Sequence, residues 1–254
     1  MHEVQSHLKS LERGKRSMTD PDRPAVFSHS GREWDLLDEV FAPVHSPSTG
    51  IALDFLGLTE PNPGAAPSSF LEIGCGSGVI SVQAALSNCT TVATDINPHA
   101  VENTGMNAER HGVAHRLKVL HSDLFDALDP AARFDRIFWS SNYVLAPPDY
   151  SYGSVHERAY VDAGYRTHRR YLEEAVRRLT ATGSALLHFC ERGDAAELTG
   201  IAEECGRELR VLRRRTVLEG SDPIEHFLLE VVPARSRPSG SSGRDTGPGR
   251  PVRA

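Results

Sequence analysis

The chain has 254 residues, of which 39% are hydrophobic and 24% charged. That composition supports a sizeable core and excludes global disorder, and at roughly 100–200 residues per domain it allows one large domain or two small ones. The net charge is −6, and residues 235–254 carry five arginines against one aspartate, so the rest of the chain is more acidic still and a poor electrostatic match for nucleic acid.

Met1 to Pro24 is polar without a sustained period, so residues 1–25 are expected to be a mobile N-terminus. No apolar signal core opens the chain, and no stretch approaches the roughly 18 apolar residues of a membrane helix. A cytoplasmic protein without a membrane partner is therefore expected. The cysteines (Cys75, Cys89, Cys190, Cys205) have no zinc spacing and the histidines are scattered, so they are read as reduced thiols and no metal site is expected. Residues 26–63 hold the aromatic anchors Phe27, Trp34, Phe41 and Phe55, then run into a Pro-, Gly- and Ser-rich linker over 61–69. That segment is expected to dock over the pocket edge of the main domain, residues 64–234.

In the main domain apolar runs alternate with helix-period segments, the pattern of βαβ units. SFLEIGCG reads as a strand entering a glycine loop, GVISVQAALSN as a helix, TTVATDI as a second strand and PHAVENTGMNAERHG as a helix opened by Pro98. RLKVLHSD is a third strand and FDRIFWSSNY contains a fourth. ERAYVDAGYRTHRRYLEEAVRRLT reads as largely helical with a break near Gly164. GSALLHFCE is a fifth strand, DAAELTGIAEECGR a helix, and ELRVLRRRTVLE and IEHFLLEVVP two closing strands. The GSDP turn between the closing pair is too short for a parallel crossover, so these strands are antiparallel. The fold class is α/β: a Rossmann-like, doubly wound, seven-stranded sheet with the last two strands antiparallel. Residues 235–254, rich in Arg, Ser, Pro and Gly, read as a disordered basic tail.

The sharpest local signal is Leu71-Glu72-Ile73-Gly74-Cys75-Gly76-Ser77-Gly78. Glycines permit positive φ, a tight strand-to-helix turn and a ligand lying against backbone. The loop has neither the dinucleotide nor the triphosphate spacing and no lysine for a phosphate. An acidic residue, Glu72, precedes the first glycine and favours a ligand with a positive charge. Asp95 and Ile96 stand at the tip of the second strand, where a carboxylate can take both hydroxyls of a ribose. Asp123 and Leu124 follow the third strand, the carboxylate placed to accept from an adenine amino group and the leucine to cover the ring.

These stretches together resemble the class I S-adenosylmethionine-dependent methyltransferases. LEIGCGSG is similar to their first motif, TDINPHAVENTGMNAERHG to their second and HSDLF to their adenine-site motif. The second stretch is especially similar to the small-domain subgroup with release-factor glutamine and ribosomal RNA guanine methyltransferases. The resemblance implies S-adenosylmethionine as cofactor, S-adenosylhomocysteine as product, and cofactor contacts at Glu72, Gly74, Cys75, Gly76, Gly78, Asp95, Ile96, Asn97, Asp123, Leu124 and Ser140. EVFAPVHSPSTGIALDFL resembles the piece that covers the cofactor in that subgroup, which brings Phe41, Pro43, Ser48 and Thr49 to the pocket.

Aligned without a gap, the subgroup's Asn-Pro-Pro-Tyr target motif reads here as Ser140-Ser141-Asn142-Tyr143; aligned on Asn142, two residues are inserted; either way both prolines are gone. Asn142, Tyr143 and the downstream Tyr165 are the candidate catalytic residues. Phe41, Thr49, Trp139, Tyr152 and His156 are the candidate substrate contacts. Further titratable candidates for a base are Glu157 and His168. The altered motif and the acidic body favour methylation of a small-molecule metabolite at N, O or C by a monomer or homodimer. A protein-glutamine or RNA methyltransferase, a cyclase that consumes the cofactor and a non-catalytic cofactor-binding module are the alternatives. Backbone N–H groups of the glycine loop are expected to take the cofactor's carboxylate.

Overall fold

The computed structural model describes residues 6–234. Its centre is a seven-stranded sheet. The parallel strands are β3 (Ser68–Ile73), β4 (Cys89–Asp95), β5 (Leu117–His121), β6 (Phe134–Ser140) and β9 (Leu179–Cys190), and the closing hairpin is β10 (Arg207–Glu219) and β11 (Asp222–Pro233). The spatial order is β10-β11-β9-β6-β3-β4-β5. β11 is antiparallel to both β9 and β10, whereas the β6–β9, β3–β6, β3–β4 and β4–β5 pairs are parallel. The seven-stranded α/β sheet with an antiparallel closing pair is thus the one expected.

Successive side chains on a strand point to opposite faces, and here both faces are covered. Phe70, Phe138, Leu186 and Leu228 belong to one core and their neighbours Leu71, Ile137, Leu187 and Leu229 to the other. The first core packs against α2 (Ser48–Leu56), α3 (Val79–Leu86) and α4 (Pro98–Arg110). The second packs against α5 (Arg166–Glu174) and α6 (Ala195–Glu204). With both faces covered, β3 is buried without a break after its first two serines, Glu72 included.

The glycine loop turns β3 into α3. Gly78 has φ +80°, and a Cβ there would lie 2.8 Å from Thr104, so the close approach of α4 to the loop admits only glycine. Asn97 caps α4, its side chain accepting from the His99 N–H, with Pro98 in the first turn.

Two expectations are corrected. The N-terminal segment is not mobile over its whole length: residues 7–19 form α1 (His7–Thr19), docked by small residues. Gly14 lies flat on the Tyr160 ring, and the Ser10 hydroxyl donates to the Tyr160 carbonyl at 2.9 Å. Arg23 clamps the helix end, its guanidinium donating to the carbonyls of Ser17, Leu37 and Val40. Small polar residues do the docking, so no apolar period announces it. Of the segment expected to be largely helical from Glu157 with a break near Gly164, the part before the break is instead a 3₁₀ turn, His156–Ala159, and a two-residue strand β8 (Asp162–Ala163) paired with β7 (Leu145–Ala146). Helix begins only at Arg166, because Gly164 and Tyr165 both sit at positive φ, +58° and +48°. The tail over 235–254 lies outside the described residues.

The 26–58 segment forms a hairpin, β1 (Val26–His29) with β2 (Arg32–Asp35), followed by α2. Two asparagines one turn apart on α4 hold it. Asn107 Oδ1 accepts from the Asp35 N–H and Asn103 Oδ1 from the Leu37 N–H, and both side-chain amides donate to the Asp35 carbonyl.

Candidate active site

The C-terminal ends of β3, β4 and β6 open into one cavity, the place where open α/β sheets take ligands. Its floor is Glu72 to Ser77, one side wall is Asp95, Ile96, Asn97, Asp123 and Leu124, and the other is Trp139 to Tyr143. The roof comes from Arg13 and Ser17 of α1, residues 39–49, and Tyr152 to Tyr160.

Asp95 is the best-braced group in it. One carboxylate oxygen accepts from the Gly76 N–H at 2.9 Å and the other from the Asn97 N–H at 2.8 Å. An ionised carboxylate has about four lone-pair sites, so each oxygen can still take a hydroxyl. Burial pushes its pKa up against the pull of those backbone bonds. A cis-diol seated on Asp95 therefore meets a carboxylate that already has its orientation.

Glu72 is 2% exposed and accepts a hydrogen bond from the Ser81 hydroxyl. Burial pushes its carboxyl up to about 8; the Ser81 bond opposes the rise and the Asp95 charge adds to it. At neutral pH Glu72 is thus protonated, and it draws a cation only by giving that proton up.

The glycine loop works through space. The N–H groups of Gly74 and Cys75 donate to the Thr94 carbonyl, that of Gly78 to the Cys75 carbonyl, and that of Gly76 to Asp95. These four N–H groups are thus used within the protein, while Ser77, the remaining loop residue, lines the cavity. At Gly76 a Cβ would meet nothing within 4 Å, which leaves room for a ligand against the loop. Cys75 lies under the loop, its thiol accepting from the Thr104 hydroxyl at 3.2 Å, with burial holding its pKa well up. Asp123 lines the cavity and pairs with Arg170 at 3.0 Å. Leu124 is buried with φ +53°.

After β6 the chain presents Asn142. Its side-chain NH₂ donates to the carbonyls of Arg158 and Val161, at 2.9 and 2.8 Å. Two carbonyl partners fix which end is nitrogen, because only the NH₂ can donate to both. Its Oδ1 is buried and has no partner among the described residues. Tyr143 lines the cavity with its ring, while its hydroxyl lies beside the Cys190 thiol, and burial pushes its pKa up.

Other candidates separate. Phe41, Thr49, Trp139, Ser140, Tyr152 and His156 do line the cavity. Trp139 is also core, packed against His168 and Tyr171 with ring centroids 4.6 and 5.2 Å away. The Tyr152 ring is covered by the Arg158 guanidinium at 4.3 Å, and His156 Nδ1 bonds the Glu39 carbonyl. Gly78 is not in the lining; it serves the α4 contact. Tyr165, expected to be catalytic, is fully buried outside the cavity. Its hydroxyl donates to the Tyr143 carbonyl and accepts from the Asp194 N–H, so it braces two loops. His168 is likewise buried, its Nδ1 on Asp162 at 2.8 Å. Glu157 accepts from the Tyr150 hydroxyl and the Gly153 N–H. Arg13, Ser17 and Tyr160 were missed, for want of any local pattern.

No cluster of three or more metal-ligating side chains occurs among the described residues, and no helix there is long and apolar enough to cross a membrane. The site fits S-adenosylmethionine on its own terms: a braced carboxylate for a ribose, open space over Gly76, a wall of Ile96 and Leu124 for a ring, and an ionisable acid at Glu72.

The family model described as "Methyltransferase domain" matches residues 66–199, more than half of the chain. Among curated relatives, the bifunctional methyltransferase of Rickettsia bellii is 35% identical over 89 residues, covering 34% of this chain and 16% of that protein. The ribosomal protein L11 methyltransferase of Acinetobacter baumannii (strain AYE) is 41% identical over 80 residues, covering 31% of this chain and 25% of that protein. The matched region thus spans a quarter or less of those relatives. Two solved structures share the fold. The E. cuniculi Mtq2–Trm112 complex, responsible for methylation of the eRF1 translation termination factor, has a TM-score of 0.53 at 19% identity, covering 77% of this chain and 99% of that one. The T. thermophilus 16S rRNA N2 G1207 methyltransferase, solved with AdoMet and guanosine, has 0.52 at 19%, covering 85% and 52%.

Proposed function

We infer the function of this chain from one premise: it belongs to the methyltransferase-domain family whose model spans residues 66–199. The chain is a methyltransferase that uses S-adenosylmethionine and acts on an acceptor bearing an N–H or O–H group. The observation that carries this reading is the braced Asp95 sharing one cavity with Asn142. The first suits a ribose; the second stands in the wall that would face the acceptor.

When bound, the cofactor supplies an electrophilic methyl on a sulfur that leaves as a neutral thioether. The protein's work is alignment and exclusion of water. Asp95 would hold the ribose. Glu72, on ionising, would face the charged end. Asn142, in the wall after β6, would help orient the acceptor so that its lone pair faces the methyl. The roof of α1, residues 39–49 and 152–160 would keep water out, the role expected of the 26–63 segment.

The acceptor we favour is a small metabolite. The roof is built from the chain's own N-terminal elements and the overall charge is −6, which disfavours nucleic acid. A protein side chain or an RNA base is the second reading, prompted by the L11 methyltransferase relative. The test is incubation of the full chain with methyl-labelled S-adenosylmethionine and a cell extract split by size. Label in the small fraction with matching S-adenosylhomocysteine is expected. Label in protein or RNA would move the assignment to the second reading, methylthioadenosine would mark cyclisation, and an unconsumed cofactor would leave a binding module.

A further inference from the structure

Beneath the cavity wall a line of buried side chains crosses the sheet. Ser140 Oγ, at the cavity, is 3.1 Å from His188 Nδ1 on β9. His188 Nε2 is 3.0 Å from His226 Nδ1 on β11. His226 Nε2 is 3.1 Å from Glu219 Oε1 at the end of β10. Both imidazoles are 0% exposed, and Glu219 is held by Arg192 at 3.0 Å and by Arg13 of α1 at 3.7 Å.

The carboxylate sets the direction of the whole line. An ionised Glu219 can only accept, so a neutral His226 carries its proton on Nε2 and its Nδ1 is an acceptor. His188 Nε2 must then donate, which leaves His188 Nδ1 an acceptor and makes the Ser140 hydroxyl the donor. The Ser140 proton points inward, and its lone pairs are left for the cavity.

We propose that Ser140, His188, His226 and Glu219 form a proton relay that takes the proton of the methyl acceptor and holds it on Glu219 until product leaves. The inference rests on the methyltransferase reading above. As the acceptor's atom bonds the methyl, its N–H or O–H electron pair stays on that atom and the proton moves to Ser140 Oγ. Ser140's own proton passes to His188 Nδ1, the His188 Nε2 proton to His226 Nδ1, and the His226 Nε2 proton to Glu219, which becomes a neutral acid. No ring carries a net charge at the start or the end. When product leaves and water enters, the shift reverses and Ser140 Oγ gives the proton to water, restoring the starting tautomers. Burial, with the neighbouring His226 adding to it, pushes His188 down to about 3, which suits a ring that passes protons and does not store them. Burial would raise Glu219, but the bond from His226 and the charges of Arg192 and Arg13 outweigh it and hold it low, so it starts as the carboxylate the line requires. The other titratable groups around the line are Tyr143 and Cys190, both pushed up by burial and neutral.

The relay is tested in two arms on the full chain. Nitrogen NMR of ¹⁵N-histidine-labelled protein should find His188 and His226 both neutral with the proton on Nε2 at pH 7. A proton on Nδ1 of either ring, or an imidazolium, overturns the proposal without touching the function assigned above. In the second arm, label transfer from S-adenosylmethionine to the extract is compared with calorimetric affinity for S-adenosylhomocysteine. Glu219→Ala should slow transfer by about 10²-fold or more, the range of general-base effects, with affinity unchanged, and Ser140→Ala should slow it to the same extent. Ser140→Thr, which keeps the hydroxyl, should restore it. Full transfer in the alanine variants overturns the relay alone. A wild-type protein that transfers no label overturns the function, and the relay with it.

Discussion

Glu72 stands at the foot of the cavity with its carboxyl buried and pushed up to about 8 from an ordinary 4.5. Between those two values the folded chain holds a proton that the unfolded chain has lost. Stability therefore falls as pH rises from about 4.5 to about 8, and is level on either side. Glu72→Gln should flatten that slope and raise stability at pH 8 by a few kcal/mol, at about 1.4 kcal/mol per unit. Denaturant midpoints across pH check it; an unchanged slope would mean the carboxyl ionises freely. A cation bound beside Glu72 should also expel its proton, so heats of binding at pH 7 should vary with the buffer's own ionisation heat. Asp95 and Glu72 were legible because the strand–glycine–helix frame fixes both positions locally. The Ser140–His188–His226–Glu219 line was not, because its members sit on four strands and meet only through the β6–β9, β11–β9 and β10–β11 registers. Tyr165 misled for the opposite reason: its place after the fourth strand suits a substrate loop, but its positive φ turns it inward to brace Tyr143 and Asp194.

At the scale of the element, α1 is the part that the sequence concealed most fully. It fully buries only Ser10, Gly14 and Ser17, with Leu11 partly buried against the Tyr160 cluster, so hydrophobic periodicity had little to report. Its seat depends on Gly14, where an added Cβ would come within 2.8 Å of the Tyr160 ring. Overpacking costs about 1–3 kcal/mol. Gly14→Val should therefore open α1 about 5- to 150-fold more often, while the sheet keeps its unfolding midpoint. Limited proteolysis within residues 6–25 reads the opening directly, and an unchanged cleavage rate would show that the helix shifts and stays docked. The hairpin over 26–35 is better secured, by Asn103 and Asn107 on the α4 face that meets it. That pair of asparagines one turn apart is a pattern visible in the sequence, though its partner lies some seventy residues upstream.

For the whole molecule, the sheet order places the ends of β3, β4 and β6 side by side and the N-terminal elements across them. The βαβ alternation and the short final turn made that architecture legible from end to end. The roof was only half legible, since the 39–49 stretch has a family likeness and α1 has none. The central claim is that this cavity binds S-adenosylmethionine through the Asp95 carboxylate. Titration calorimetry of the full chain and of Asp95→Ala with S-adenosylhomocysteine tests it. One-to-one binding by the wild-type chain is expected. The variant should lose about 1.5–3 kcal/mol for each charge-assisted bond, a fall of at least about tenfold, while remaining folded. Equal affinity in the two proteins, or no binding by either, would contradict it.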